Sequence, residues 1–150
     1  MKTKILFILL AILPFLGGCS DNEDDIKELI VGKTWRLVGF YEKNDNEIHF
    51  TDDETIFNNN KDGFYLKFNQ DSTFYGKGVK DAFNGKWKNE NGYNLSMNIT
   101  NESEDEELDI AIEYINAIKG AYSCRGTDEN IMVIKYKSSQ GDRYMLYRIK

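Results

Sequence analysis

Two cysteines, one histidine and 25 carboxylates are the side chains of this 150-residue chain with chemistry to offer, and their spacing decides what that chemistry is. His49 stands alone. A zinc site needs three or four ligands drawn largely from His and Cys, so neither a metal site nor a cofactor is expected. There is no Gly-x-Ser-x-Gly elbow and no P-loop, and one histidine gives no footing for a Ser–His triad. Asn58-x-Asn60-x-Asp62-Gly63 echoes the start of a calcium loop. Such a loop begins on Asp and closes on a bidentate Glu at its twelfth position; here those places hold Asn58 and Asn69, so the segment reads as a polar loop. Paired carboxylates that cleave glycosides need set separations in space, which abundance alone does not supply. The acidic run Glu102 to Asp109 fits a helix start, with Ser103 and Glu106 as a capping box and negative charge at the positive end of the helix dipole. The expectation is no catalytic residue and no enzyme.

Cys19 has a more telling setting. Lys2 and Lys4 precede the apolar run Ile5 to Phe15, which Pro14 interrupts. That run is shorter than the roughly 20 residues a bilayer span needs, and it has the parts of an export signal. Leu16-Gly17-Gly18-Cys19 resembles a bacterial lipobox, which implies cleavage before Cys19 and acylation of its thiol. One acyl chain gives only marginal membrane binding, and proteins of this type carry two or three. The stretch Ser20 to Asp25 is polar and acidic, and resembles the surface-export signals of Bacteroidetes lipoproteins. The expected organisation is a signal peptide over 1–18, a lipidated cysteine with acidic tether and short helix over 19–32, and a single β domain over 33–150. The expected location is the outer membrane, at the cell surface in preference to the periplasmic face. With Cys19 acylated, Cys124 has no partner in the chain, and burial in a strand is expected for it.

Removing 18 residues leaves 132, enough for one domain that buries about two thirds of its unfolded surface. The net charge is −6, and losing Lys2 and Lys4 makes it −8, which argues against nucleic acid. One proline, nine Phe and nine Tyr suit a folded β-rich domain.

The elements follow from periodicity. Asp24 to Val31 reads as a short helix ended by Gly32. Thr34 to Tyr41 is a strand with Trp35, Leu37 and Gly39 on one side and Val38 and Phe40 on the other. Glu47 to Thr51 reads as a short strand and Asp52 to Gly63 as a loop. Phe64 to Phe68, Thr73 to Gly78 and Ala82 to Lys88 are further strands, and Asn91-Gly92 is a hairpin signal before an alternating strand from Tyr93 to Thr100. Leu108, Ala111, Ile112, Ile115 and Ile118 recur at helix spacing, with Gly120 as the stop. Ala121 to Arg125, Asn130 to Lys137 and Arg143 to Ile149 close the chain. With no βαβ alternation, the fold class is mostly β with one late helix, an antiparallel small barrel or strongly curved sheet.

Several motifs resemble the META (heat-shock-lipoprotein-like) domain in its Bacteroidetes lipoprotein form. They are Trp35-Arg36-Leu37, the hairpin Leu66 to Thr73, Gly76 through Asn84-Gly85-Lys86-Trp87, Tyr114 to Ile118 followed by Ala121-Tyr122, and the closing Ile131 to Ile134 with Tyr144 to Tyr147. A frequent Gly-Cys-Asn stretch of that family is replaced by Asp81 to Asn84. The rival resemblance is to a lipocalin-like barrel. META membership implies a small barrel-like fold without established catalysis; lipocalin membership implies a carrier of a small apolar ligand. The function expected is therefore a membrane-anchored, non-catalytic binding module for a partner such as a protein, with a lipocalin-like carrier of a small apolar ligand as the alternative and a carboxylate-dependent hydrolase ranked third. Tyr41, Tyr65, Tyr75, Tyr136 and Tyr147 are the candidate stacking residues.

Overall fold

Alternating apolar residues make the strands, and the hairpins between them set their order. In a computed structural model, residues 26–44, 59–102 and 109–150 are described. The signal peptide, Cys19, the acidic tether, the strand expected at Glu47 to Thr51, His49, Asn58, Ser103, Glu106 and Leu108 lie outside them.

Eight strands form one sheet: β1 (Thr34–Glu42), β2 (Tyr65–Phe68), β3 (Thr73–Lys77), β4 (Ala82–Lys88), β5 (Ser96–Asn101), β6 (Ala121–Asp128), β7 (Ile131–Ser138) and β8 (Gly141–Ile149). Their spatial order is β5-β4-β3-β2-β1-β8-β7-β6 with every neighbouring pair antiparallel. The sheet curls until its edges meet, without closing into a full ladder. Leu95 N donates to Tyr122 O (3.1 Å) and Cys124 N to Tyr93 O (2.8 Å), around a bridge between Asn94 and Ser123. This contact is why the strand expected from Tyr93 begins at Ser96: residues 93–95 are drawn across to β6.

The inner face of the curl is filled by rings and sulfur side chains. Trp35, Phe40, Phe68, Phe74, Phe83, Trp87 and Tyr147 are all at most 3 % exposed, and Met97, Met132 and Met145 pack among them. Each buried chain of this size stabilises the fold by about 1.5–3 kcal/mol, so the aromatic layer is the main source of cohesion. Two glycines make room for it. On β3 and β4 Phe74 stands opposite Gly85, and Gly76 opposite Phe83. A Cβ on Gly76 would meet the Phe83 ring, and one on Gly85 would meet the Phe74 ring and the Asn98 carbonyl.

Two helices cover the curl among the described residues. In α1 (Ile26–Ile30) both isoleucines are buried, and the Ile30 carbonyl accepts a bond from Trp35 Nε1 at 3.1 Å. Gly32, with φ 79°, then turns the chain so that its amide reaches Phe68 O (3.1 Å). Helix α2 (Asp109–Lys119) sends Tyr114 inward, edge-on to Phe64 (5.5 Å) and Phe83 (6.0 Å), with its hydroxyl 3.4 Å from that of Tyr147.

Two expected faces are corrected. The β1–β8 register slips between Leu37 and Gly39, so Phe40 joins Trp35 and Leu37 inside while Val38 is left 37 % exposed. On α2 the buried set is Ile110, Ala111, Tyr114, Ala117 and Ile118, and Ile112 is 49 % exposed. The helix is rotated from its aliphatic stripe because Tyr114 must reach into the curl.

Candidate functional site

Since Met132, Ile134, Met145 and Tyr147 face inward, their neighbours Val133, Lys135, Tyr144 and Leu146 face out. Register places Val133 between Arg125 and Leu146, and Lys135 between Ser123 and Tyr144. Over these positions lies a depression of about 440 Å³, whose lining adds Lys43, Tyr122, Thr127, Asp142 and Arg143. Val133 and Leu146 give it apolar ground. Tyr144 is held by stacking on Tyr41, with ring centres 5.2 Å apart and planes 10° from parallel.

Its charges are unequal. Among the described residues of the lining, Lys43, Arg125, Lys135 and Arg143 are cationic and Asp142 is the one acid. Asp142 receives the Lys137 ammonium at 2.6 Å; that bond, with the nearby charge of Lys43, holds its carboxyl below the usual range. Arg143 lies 3.7 Å from Glu113, which also accepts the Tyr136 hydroxyl at 3.1 Å. The Arg125 guanidinium lies over Tyr93 at 4.6 Å, and Lys137 over Tyr122 at 5.0 Å. Among the described residues no carboxylate lies within ion-pair reach of Lys135 or Arg125.

A second depression, of about 610 Å³, lies between α1 and the β6–β7 turn. Leu29 covers Gly126 there, and the charged lining is mixed: Glu28, Asp128 and Glu129 against Lys33.

Of the five tyrosines expected to stack on a ligand, Tyr41 abuts the first depression through Tyr144. Tyr65 and Tyr75 lie together on the outer side of β2 and β3, with centroids 5.9 Å apart. Burial, and then the Tyr75 hydroxyl, push the Tyr65 phenol up to about 12. Tyr136 and Tyr147 are corrected: they are 1 % and 0 % exposed, built into the core where no ligand reaches their faces. Cys124 is buried, as its strand position suggests, and burial pushes its thiol up to about 12. Tyr122, Tyr144, Arg125 and Lys135, which also line the depression, are not among the residues their types and spacing single out. The alternation of β6 to β8 marks their outward side, but only register brings them together.

The calcium-like segment turns its oxygens to fixed cations. Arg36 donates to the carbonyls of Asn60 and Lys61, and Asp62 pairs with Lys150 at 3.1 Å. Among the described residues no three His, Cys, Asp or Glu side chains group as metal ligands.

The sequence profile of the family described as Domain of unknown function (DUF4847) matches residues 21–149. The chain belongs to the DUF4847 family. The fold agrees with a crystal structure of a DUF4847 family protein from Bacteroides vulgatus ATCC 8482 at a TM-score of 0.62 and 21 % identity, covering 82 % of this chain and 96 % of that one. An NMR structure of a protein from Burkholderia xenovorans matches at a TM-score of 0.52 and 11 % identity, over 83 % and 86 % of the two chains. At these identities the likeness is one of fold. No curated protein matches. DUF4847 membership overturns the expected META or lipocalin-like membership. An opening Trp strand, tight hairpins and a late helix suit a curled antiparallel sheet covered by helices, so they track topology and not family.

Proposed function

We propose that this DUF4847 protein is an exported lipoprotein, anchored through acylated Cys19 in the outer membrane at the cell surface, whose curled β domain is a non-catalytic binding module. The observation that carries the binding reading is the depression over β6 to β8, where open volume, two tyrosines and surplus positive charge coincide. The filled inner face supports an outer site over a carrier cavity, because a carried ligand would need the space that Trp35, Phe40, Phe68 and Tyr147 occupy. Among the described residues the carboxyls with a shift, Asp62, Asp71 and Asp142, are held low by Lys150, Thr73 and Lys137 respectively, the opposite of what a proton-donating acid needs. The family match begins at residue 21, two residues past Cys19, which suits a signal and anchor ahead of the domain.

The anchor is tested by growing cells on an alkyne fatty acid and comparing the wild type with Cys19→Ser. Label on the wild type alone is expected, with protease added to intact cells removing the domain. An unlabelled wild type recovered from the medium would refute the anchor. The binding module is tested by pull-down from cross-linked cells, and no reproducible partner or ligand would refute it.

A further inference from the structure

We infer that the depression over β6, β7 and β8 takes a small ligand whose carboxylate is carried on a ring. This deepens the binding reading above and rests on it. The first ground is charge. Among the described residues four cations and one acid line the site, in a chain whose net charge is −6. Like charges gathered on a concave surface repel one another, and the fold answers them only in part: Arg143 has Glu113 at 3.7 Å and Lys43 lies near Asp142, but Lys135 and Arg125 have no acid in reach among the described residues. An incoming anion relieves that repulsion. Arg125 offers a planar fork matched to a carboxylate, and Lys135 a mobile point charge.

The second ground is the surface beneath the charges. Val133, Leu146 and Tyr144 are apolar or flat, and Tyr144 is already oriented by Tyr41. A ring laid there releases water from both faces and meets a wall that loses little freedom on binding. A bare inorganic anion would leave this ground unused. The third is size: about 440 Å³ falls within the span of small-molecule sites, roughly 300–1,000 Å³. Two sources supply the chemistry, a hexuronate sugar and an aromatic carboxylic acid.

The intact lipoprotein, in detergent, is titrated by calorimetry with digalacturonate, 4-hydroxybenzoate, neutral maltose and sodium sulfate. One or both ring acids are expected to bind one to one, more weakly as salt rises, with maltose silent. Binding by the sugar acid alone assigns the first source, and by the benzoate alone the second. Lys135→Glu, checked for folding by circular dichroism, should weaken binding about tenfold or more, the worth of one charge-assisted contact. Tyr144→Leu should weaken ring acids and leave sulfate unaffected.

The inference fails if neither acid binds, if Lys135→Glu binds unchanged, or if sulfate displaces the acids at equal concentration. Anionic vesicles that bind through Lys135 while the acids do not would also overturn it, in favour of a membrane surface. A partner captured from cells equally by wild type and Lys135→Glu would leave the binding module standing while this site falls.

Discussion

Replacing Gly85 by alanine tests the packing argument at its tightest point. Gly85 lies on β4 opposite Phe74, where the β4–β5 register slips. Neither Gly85 nor Gly76 has a positive φ, so alanine is conformationally allowed at both and the effect is steric. At Gly85 the new methyl would fall on the Asn98 backbone oxygen and within 2.7 Å of the Phe74 ring. At Gly76 the obstacle is the Phe83 ring, a side chain that can yield partway, although Phe74 and Tyr114 hem it in at 6.3 and 6.0 Å. Overpacking a core costs about 1–3 kcal/mol. Gly85→Ala belongs at or above the top of that range, because relief requires β4 and β5 to part, and Gly76→Ala near its middle. A loss of about 3 kcal/mol lowers the melting temperature of a domain this size by roughly 10 °C. Guanidinium unfolding followed by tryptophan fluorescence and circular dichroism gives both differences. Equal midpoints for wild type and Gly85→Ala, or a larger loss from Gly76→Ala, would refute the reasoning.

Tyr136→Phe removes the hydroxyl that Glu113 accepts at 3.1 Å but leaves Arg143 beside that carboxylate, so denaturant titration should read a loss of about 1 kcal/mol. The Cys124 thiol, buried and held near 12, should be inert to a disulfide reagent in the native state and react at the rate of unfolding, which a time course in rising denaturant measures. Stability should fall in acid. Asp62, Asp71 and Asp142 are depressed below the ordinary carboxyl value of 3.8, so what they contribute is present above that value and lost as pH drops through their lower folded ones. Thermal melts across that range should show the loss, and Asp142→Asn should reduce it. In alkali the sign reverses. Tyr65 is raised from 10 to about 12, so stability is complete below 10 and declines towards 12, with tyrosinate absorbance rising alongside unfolding.

Much of the fold was legible because one face is wholly buried. Leu66 and Phe68, then Phe74, then Phe83 and Trp87, announce their strands by strict alternation, and Asn91-Gly92 and Gly120 punctuate them. What escaped depends on contacts between distant segments. The slip between Leu37 and Gly39 answers to β8, and Tyr93 leaves its strand to meet β6. Helix spacing alone could not rank Ile112 below Tyr114, since only the curl's interior rewards the longer ring. The site was less readable still. Lys43 follows β1 while Arg125, Lys135 and Arg143 stand on three later strands, and no local pattern joins them. Singling out tyrosines by type alone caught Tyr136 and Tyr147, whose rings belong to the core.

The position of β1 in the sheet has a further consequence. Among the described strands the earliest in the chain, β1, is a central one, and its partner along one whole side is β8, the latest, with Trp35 against Ile149 and Glu42 against Arg143. Until that final segment emerges, half of β1's backbone groups have no strand to bond. β1 therefore completes its pairing late, and folding is expected to be slow because distant pairings dominate. Truncating even the last few residues should strand the opening tryptophan without its neighbour and halt assembly at both ends of the sequence at once.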